Sequence, residues 1–238
     1  MYLKGGILKI KILGTRGKVK VSARGHSKHS GILLDEEILF DLGEKSFLKQ
    51  KPKAILITHL HPDHAFFVKG GERLSTKISV YAPEKHLGCP GIKIISKILK
   101  IGSYQITPLP TIHSRKVKSQ AYLVQKDDKK ILYTGDLIWI EKKYHKYLQN
   151  LDLIITEASF IKKGGMVRRD KKTGEIFGHN GAPDLTHLFK RFTKHIVFIH
   201  FGSWFYKDIK AAKKELKQLG KENDIKVEVG YDGMKIKL

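Results

Sequence analysis

The 238-residue sequence predicts an α/β architecture of two packed mixed sheets flanked by helices. Short apolar runs of strand length recur through both halves of the chain. Stretches with helical spacing occur in each half. No repeat of fixed period and no dividing linker interrupts them, so 1–238 reads as one domain.

The elements follow in order. Residues 7–13 alternate apolar and lysine side chains, as a half-buried strand does. Gly14-Thr15-Arg16-Gly17 punctuates that run, and 19–23 can pair back as a hairpin. The polar stretch 24–31 reads as a loop. Its His26 and His29 could bind metal, but a loop near a site is the simpler account. Strands at 32–34 and 38–41 are joined by Asp35-Glu36-Glu37. Ala54-Ile55-Leu56-Ile57 is a buried strand by its continuous apolar run, and 65–68 is helix-compatible. Further strands are expected at 78–82, 92–95 and 104–109, with Pro108 and Pro110 breaking the last pattern. Residues 120–125 and 130–134 form a hairpin turning at Asp127-Asp128. A helix is expected at 141–150 and a buried strand at 151–156, ending at Glu157. The basic, glycine-bearing stretch 160–178 has no clear period. Helical spacing returns at 184–192 behind Pro183, and 195–201 is another buried strand. Residues 206–219 read as a lysine-rich amphipathic helix stopped by Gly220, with strands at 225–229 and 234–238.

Lys+Arg 46 against Asp+Glu 23 gives a formal charge of +23. Such a field attracts polyanions, nucleic acid first and anionic membrane second. No apolar run reaches the ~20 residues that span a bilayer. The opening residues lack the apolar segment of a secretion signal. Cys89 is the only cysteine, which excludes an internal disulfide and a Cys-based zinc site. These features point to the cytoplasm, and they leave homo-oligomerisation open.

The chemistry concentrates in Thr58-His59-Leu60-His61-Pro62-Asp63-His64, directly after the 54–57 strand. Along an extended chain His59 and His61 point the same way, and Pro62 turns Asp63 and His64 toward a second point. Imidazoles and a carboxylate gathered at a strand end are half the ligand set of two adjacent metals of the zinc type. His113, Asp136, Glu157 and His200 stand at or just beyond the ends of later apolar strands, where loops gather at one rim.

The pattern His-x-His-x-Asp-His resembles the signature of the metallo-β-lactamase superfamily, whose αββα sandwich has the predicted layout. The resemblance implies that His59, His61 and His113 hold one divalent metal. It implies that Asp63, His64 and His200 hold another, with Asp136 bridging. Asp63 is expected to serve catalysis as well. Zinc is the leading expectation, and such N/O donors also accept Mn²⁺, Fe²⁺ or Ni²⁺. Two such ions ~3.5–4 Å apart generate a bridging hydroxide near neutral pH.

Thr156-Glu157-Ala158-Ser159 resembles the His-Glu-Ala-Thr segment of tRNase Z-like phosphodiesterases, with Thr156 and Ser159 as departures. Gly178-His179-Asn180 resembles their His-Ser-Thr segment, with Asn180-Gly181 departing. By that resemblance His179 protonates the leaving oxygen and Glu157 positions it. The tRNA-gripping arm is missing, because His113 and Asp136 are close in sequence with only a hairpin between them. The chain is more similar to the armless, PhnP-like relatives. The implied function is metal-dependent hydrolysis of a phosphodiester in nucleic acid or a nucleotide derivative. The alternative is a lactone or thioester hydrolase of the same fold. Lys162, Lys163, Arg168 and Arg169, lying between Glu157 and His179, are expected to contact the phosphate backbone.

Overall fold

The computed structural model describes residues 6–238; the opening residues 1–5, read above for a secretion signal, lie outside it. The first sheet begins with β1 (Lys9–Gly14), β2 (Gly31–Leu34), β3 (Ile38–Phe40), β4 (Ala54–Leu56), β5 (Ser79–Ala82) and β6 (Lys93–Ile94). The second contains β7 (Leu99–Ile101), β8 (Tyr104–Ile112), β9 (Gln120–Lys126), β10 (Lys129–Tyr133), β11 (Trp139–Ile140) and β12 (Leu153–Ala158). A separate two-stranded hairpin, β13 (Met166–Arg169) and β14 (Ile176–His179), follows. After α1 (Ala182–Phe189), β15 (His195–Phe201) returns to the second sheet. Then α2 (Ile209–Glu222) leads to β16 (Lys226–Val229), and β17 (Lys235–Lys237) joins the first sheet beside β1.

Both sheets are mixed. In the first, β1, β2 and β3 pair antiparallel while β3, β4, β5 and β6 run parallel. In the second, β8, β9 and β10 are antiparallel, and β10, β12, β15 and β16 are parallel. The order matters for function. The parallel strands β4, β10, β12 and β15 present their carboxyl ends to one rim, where open α/β sheets hold ligands.

Between the sheets Ile32, Phe40 and Leu56 meet Tyr122, Tyr133, Ile155 and Ile199, all buried. These strands are apolar on both faces, because each sheet is covered on its outer side too. On the second sheet the cover is α1 and α2, whose Leu185, Phe189 and Leu216 pack on Ile154 and Phe198. On the first it is 3₁₀ turns at Lys45–Gln50 and Phe66–Val68, which place Phe47 and Phe67 against Leu33 and Ile55. The layered prediction therefore holds, with the α-helices on one side only among the described residues. Among the described residues no helix is long and apolar enough to cross a membrane.

Several elements differ from expectation. Residues 19–23 form no strand, only an isolated bridge at Ala23. The 141–150 helix is a 3₁₀ segment, Lys142–Leu148. Pro108 and Pro110 do not end β8. They fall between the part paired with β7 and the part paired with β11, so no neighbour on that side needs their missing N–H. Gly220 does not stop α2. A Cβ there would approach Val227 Cβ to 2.9 Å, so the glycine lets the helix lie close on β16. The aperiodic stretch 160–178 contains the β13–β14 hairpin. Its Gly178 sits at φ +122°, where a Cβ would come within 1.9 Å of Met166 O.

Candidate metal centre

The rim gathers the expected side chains into one buried cluster. His59 and His61 follow β4, His113 follows β8, Asp136 follows β10, and His200 lies near the end of β15. His59, His61, His113 and Asp136 each offer an atom within 4.8 Å of the others, and so do Asp63, His64 and His200. In the first group His61 Nδ1 stands 3.0 Å from His59 Nε2 and 3.2 Å from His113 Nε2. In the second His200 Nε2 lies 3.0 Å from Asp63 Oδ2.

Asp136 divides its carboxylate between them. Its Oδ2 faces His59 Nε2 at 3.7 Å and His113 Nε2 at 3.8 Å. Its Oδ1 faces His64 Nε2 at 3.2 Å and His200 Nε2 at 3.3 Å. Although 3.2 Å apart, His64 Nε2 and Asp136 Oδ1 are buried and make no hydrogen bond among the described residues. A buried polar atom without a partner is costly. Nitrogen lone pairs facing one another around a carboxylate are the donor set that a divalent cation satisfies, so the residues fit a metal.

Other groups fix how the rings face. His64 Nδ1 contacts Asp41 Oδ2 at 2.7 Å, and the same oxygen accepts from Tyr133 Oη at 2.6 Å. Asp41 Oδ1 accepts from Thr58 N at 2.7 Å. Asp41 is fully buried at φ +57°, a backbone conformation uncommon for a non-glycine residue. His113 Nδ1 donates to Gly178 O at 2.8 Å, and His200 Nδ1 pairs with Ser159 Oγ at 2.9 Å. Each contact leaves Nε2 for the cluster, the arrangement that orients metal-ligating imidazoles. His200 itself sits at φ +52°, beside a register shift between β12 and β15, so the strand's irregularity turns its side chain into the rim.

The charges divide the rings. Burial, with neighbouring imidazoles, lowers His59, and it lowers His61 to about 4. Burial also lowers His113, against the opposing pull of Asp136. Burial works against charge on His64 and His200 too, yet the facing carboxylates raise both. Asp136, although buried, is held well below its ordinary value by His200 and His64. A cation seated here would take the place of those protons.

His179 stands at the edge of the cluster on the end of β14. Its Nδ1 pairs with Glu157 Oε2 at 2.8 Å and lies 3.9 Å from Asp136 Oδ2. Glu157 is buried and also accepts from Leu137 N at 2.7 Å. Burial opposes charge on His179, but the Glu157 carboxylate and its hydrogen bond raise the ring to about 9. A pocket of about 300 Å³ opens here, lined by His61, Asp63, Asp136, His179 and His200 together with Lys18, Val19 and Phe160.

The expected cations are not part of that pocket's lining. Arg168 and Arg169 lie on β13, and Lys162 and Lys163 are exposed in the turn before it. Lys163 borders a separate hollow with Trp139, Asp184 and His187. His26 and His29 also lie outside the cluster, His26 bonded to Thr15 and His29 to Arg16. Sequence reading missed Asp41, Tyr133 and Lys18. Asp41 ends an apolar strand and could have been suspected, whereas nothing local marks Tyr133 or Lys18.

Residues 27–90 match the model of the metallo-beta-lactamase superfamily. The chain superposes on the metallo-beta-lactamase fold protein YhfI from Bacillus subtilis with TM-score 0.70 at 18% identity, covering 98% of this chain and 100% of that one. This is the metallo-β-lactamase fold. A diphosphatase from the PhnP family shares the fold at TM-score 0.60 and 16% identity, with 98% of each chain covered. Human tRNase Z, short form, shares it at 0.62 and 18%, covering 96% of this chain and 98% of its own. No curated protein is a significant match. The His/Asp cluster thus occupies the rim of a metallo-β-lactamase fold and suits a divalent metal.

Proposed function

We propose that the chain is a metal-dependent phosphodiesterase acting on nucleic acid or a nucleotide-derived diester. The observation that carries this reading is the His179–Glu157 pair, 2.8 Å apart and facing the cluster. A thioester expels a thiolate that leaves without a proton, whereas a phosphodiester of an alcohol expels an alkoxide that needs one. The formal charge of +23 favours an anionic diester over a neutral lactone.

In this reading His59, His61 and His113 hold one ion, Asp63, His64 and His200 hold a second, and Asp136 stands between. The bound cations, zinc being the leading choice, would supply stabilisation of phosphoryl charge and a lowered pKa for water. His179 keeps Nδ1 on Glu157, so its proton at Nε2 is the one available to the leaving oxygen. A value raised to about 9 keeps that proton in place at neutral pH. Lys18 brings a positive charge to the wall of the pocket, and Phe160 and Val19 add apolar surface to it. The formal charge of +23 supports a polyanionic substrate, with Arg168 and Arg169 on the hairpin and Lys162 and Lys163 behind it as backbone contacts.

The test is a substrate panel. Metal-loaded protein should hydrolyse bis(p-nitrophenyl) phosphate and leave lactones and thioesters intact. Turnover of a lactone or thioester without diester turnover contradicts the reading. The similarity to a PhnP-family diphosphatase and to human tRNase Z is in keeping with the phosphodiester choice.

A further inference from the structure

We propose that a cleft beside the metal centre, between the 114–118 loop and β6 and continued beneath the β13–β14 hairpin, holds a single-stranded polynucleotide beyond the bond to be cut. The proposal rests on the phosphodiester reading above and names its substrate class.

The loop is tied to the centre at both ends. His113 precedes it in the cluster, and Ser119 forms a β-bridge with His59. One wall carries exposed Arg115, Lys116 and Lys118; Ile94 and Thr111 line the cleft, which encloses about 650 Å³. A second hollow of about 450 Å³ continues it, sharing Thr111, Arg115 and Glu175 and adding Arg169 of the hairpin. Thr111 Oγ1, in the shared stretch, is buried and has no hydrogen-bond partner among the described residues. Two carboxylates also border the cleft. These are Glu84 and Glu175, and Asp170 pairs with Arg115, so the four cations Arg115, Lys116, Lys118 and Arg169 outnumber the three neighbouring carboxylates by one.

Arg115 indicates which polyanion fits. Its guanidinium carbon lies 4.5 Å above the Phe177 ring, and Asp170 pairs with it and fixes its orientation. The side chain is 37% exposed, so a flat cation, already stacked on one face, still has surface for a base. Proteins that bind single strands combine a cationic groove with such stacking platforms. The volume lies in the range that takes small organic groups. Unstacked nucleotides can enter it, whereas a duplex, whose bases are stacked inside a rigid cylinder, would lie across its mouth.

The experiment measures fluorescence anisotropy of the full-length, metal-loaded chain with a labelled single strand carrying phosphorothioate linkages, and with a duplex of the same sequence. A variant combining Arg115→Ala, Lys116→Ala and Lys118→Ala is compared with Lys214→Ala, Lys217→Ala and Lys221→Ala, an equal charge loss on α2. The single strand should bind more tightly than the duplex. The loop variant should weaken it at least about tenfold and reduce the slope of log K against log salt by about 2, from ~0.7 per lost phosphate contact. Arg115→Lys, which keeps charge but loses the flat face, should weaken binding at least about fivefold, the low end of one base stack. Equal losses in the loop and α2 variants, or a preference for duplex, would overturn the proposal. Turnover of bis(p-nitrophenyl) phosphate by the unmodified chain separates the two readings. Binding that ignores the loop while that turnover persists removes the cleft alone. Loop-dependent single-strand binding without any diester turnover keeps the cleft and removes the reaction.

Discussion

The rim cluster and the β13–β14 hairpin lie side by side and are built in opposite ways. In the cluster, His59, His64, Asp136 and His200 are at most 4% exposed, and the rings are held by Asp41, Gly178 O and Ser159. In the hairpin, Val167, Arg168 and Arg169 are exposed and the strands pair only with each other. Yet the two are joined at one point. Gly178 N donates to His113 O at 2.7 Å while His113 Nδ1 donates to Gly178 O, and His179 is the next residue. A rigid site can hold metals and a proton in fixed geometry, while an exposed two-stranded projection can meet a long, irregular ligand. The difference separates chemistry from recognition by a single residue of chain.

That contrast gives predictions of graded size. His61→Ala should remove at least one ion per chain and nearly all hydrolysis, because it opens a closed donor set. Elemental analysis with turnover measures both, and full metal content with unchanged turnover would count against the cluster as a metal centre. Asp41→Asn should be milder. The residue meets His64 Nδ1 but is not itself in the cluster, and losing such a support costs roughly 10–100-fold in metal affinity. Chelator competition reads that change. Stability should show the same asymmetry. Ile155→Ala, between the sheets, should cost about 2–5 kcal/mol, and Val167→Ala on the hairpin about 0.5 or less. Denaturant titration compares them. The smallest effect belongs to Arg168→Gln with Arg169→Gln, which should flatten the salt dependence of single-strand binding by about 0.7 per lost contact. An unaltered slope would mean that the hairpin touches no phosphate.

The fold was readable because the central strands of both sheets are buried on both faces. Continuous apolar runs such as 54–57, 151–156 and 195–201 mark such strands whatever surrounds them. The cluster was readable because each member stands at or near the end of one of those runs. What stayed hidden depends on distant partners. Pro108 and Pro110 look like breakers until β7 and β11 are seen to leave a gap beside them. The hairpin has no apolar period, because neither face of β13 is buried. Tyr133 reads as an ordinary core residue, and only the fold brings its hydroxyl to Asp41, 92 positions away. Lys18 lines the pocket because Gly17 N is bonded to Phe201 O, a pairing that no local pattern announces.

The most direct test of the central claim, that His179 held by Glu157 protonates the leaving oxygen of a diester, compares leaving groups. In His179→Ala, metal content should be retained. Cleavage of a diester with a poor alkoxide leaving group should fall by ~10²–10⁴-fold, the usual worth of a general acid. Cleavage releasing p-nitrophenolate, which needs no proton, should fall far less. An equal fall for both substrates with metal retained would contradict the claim.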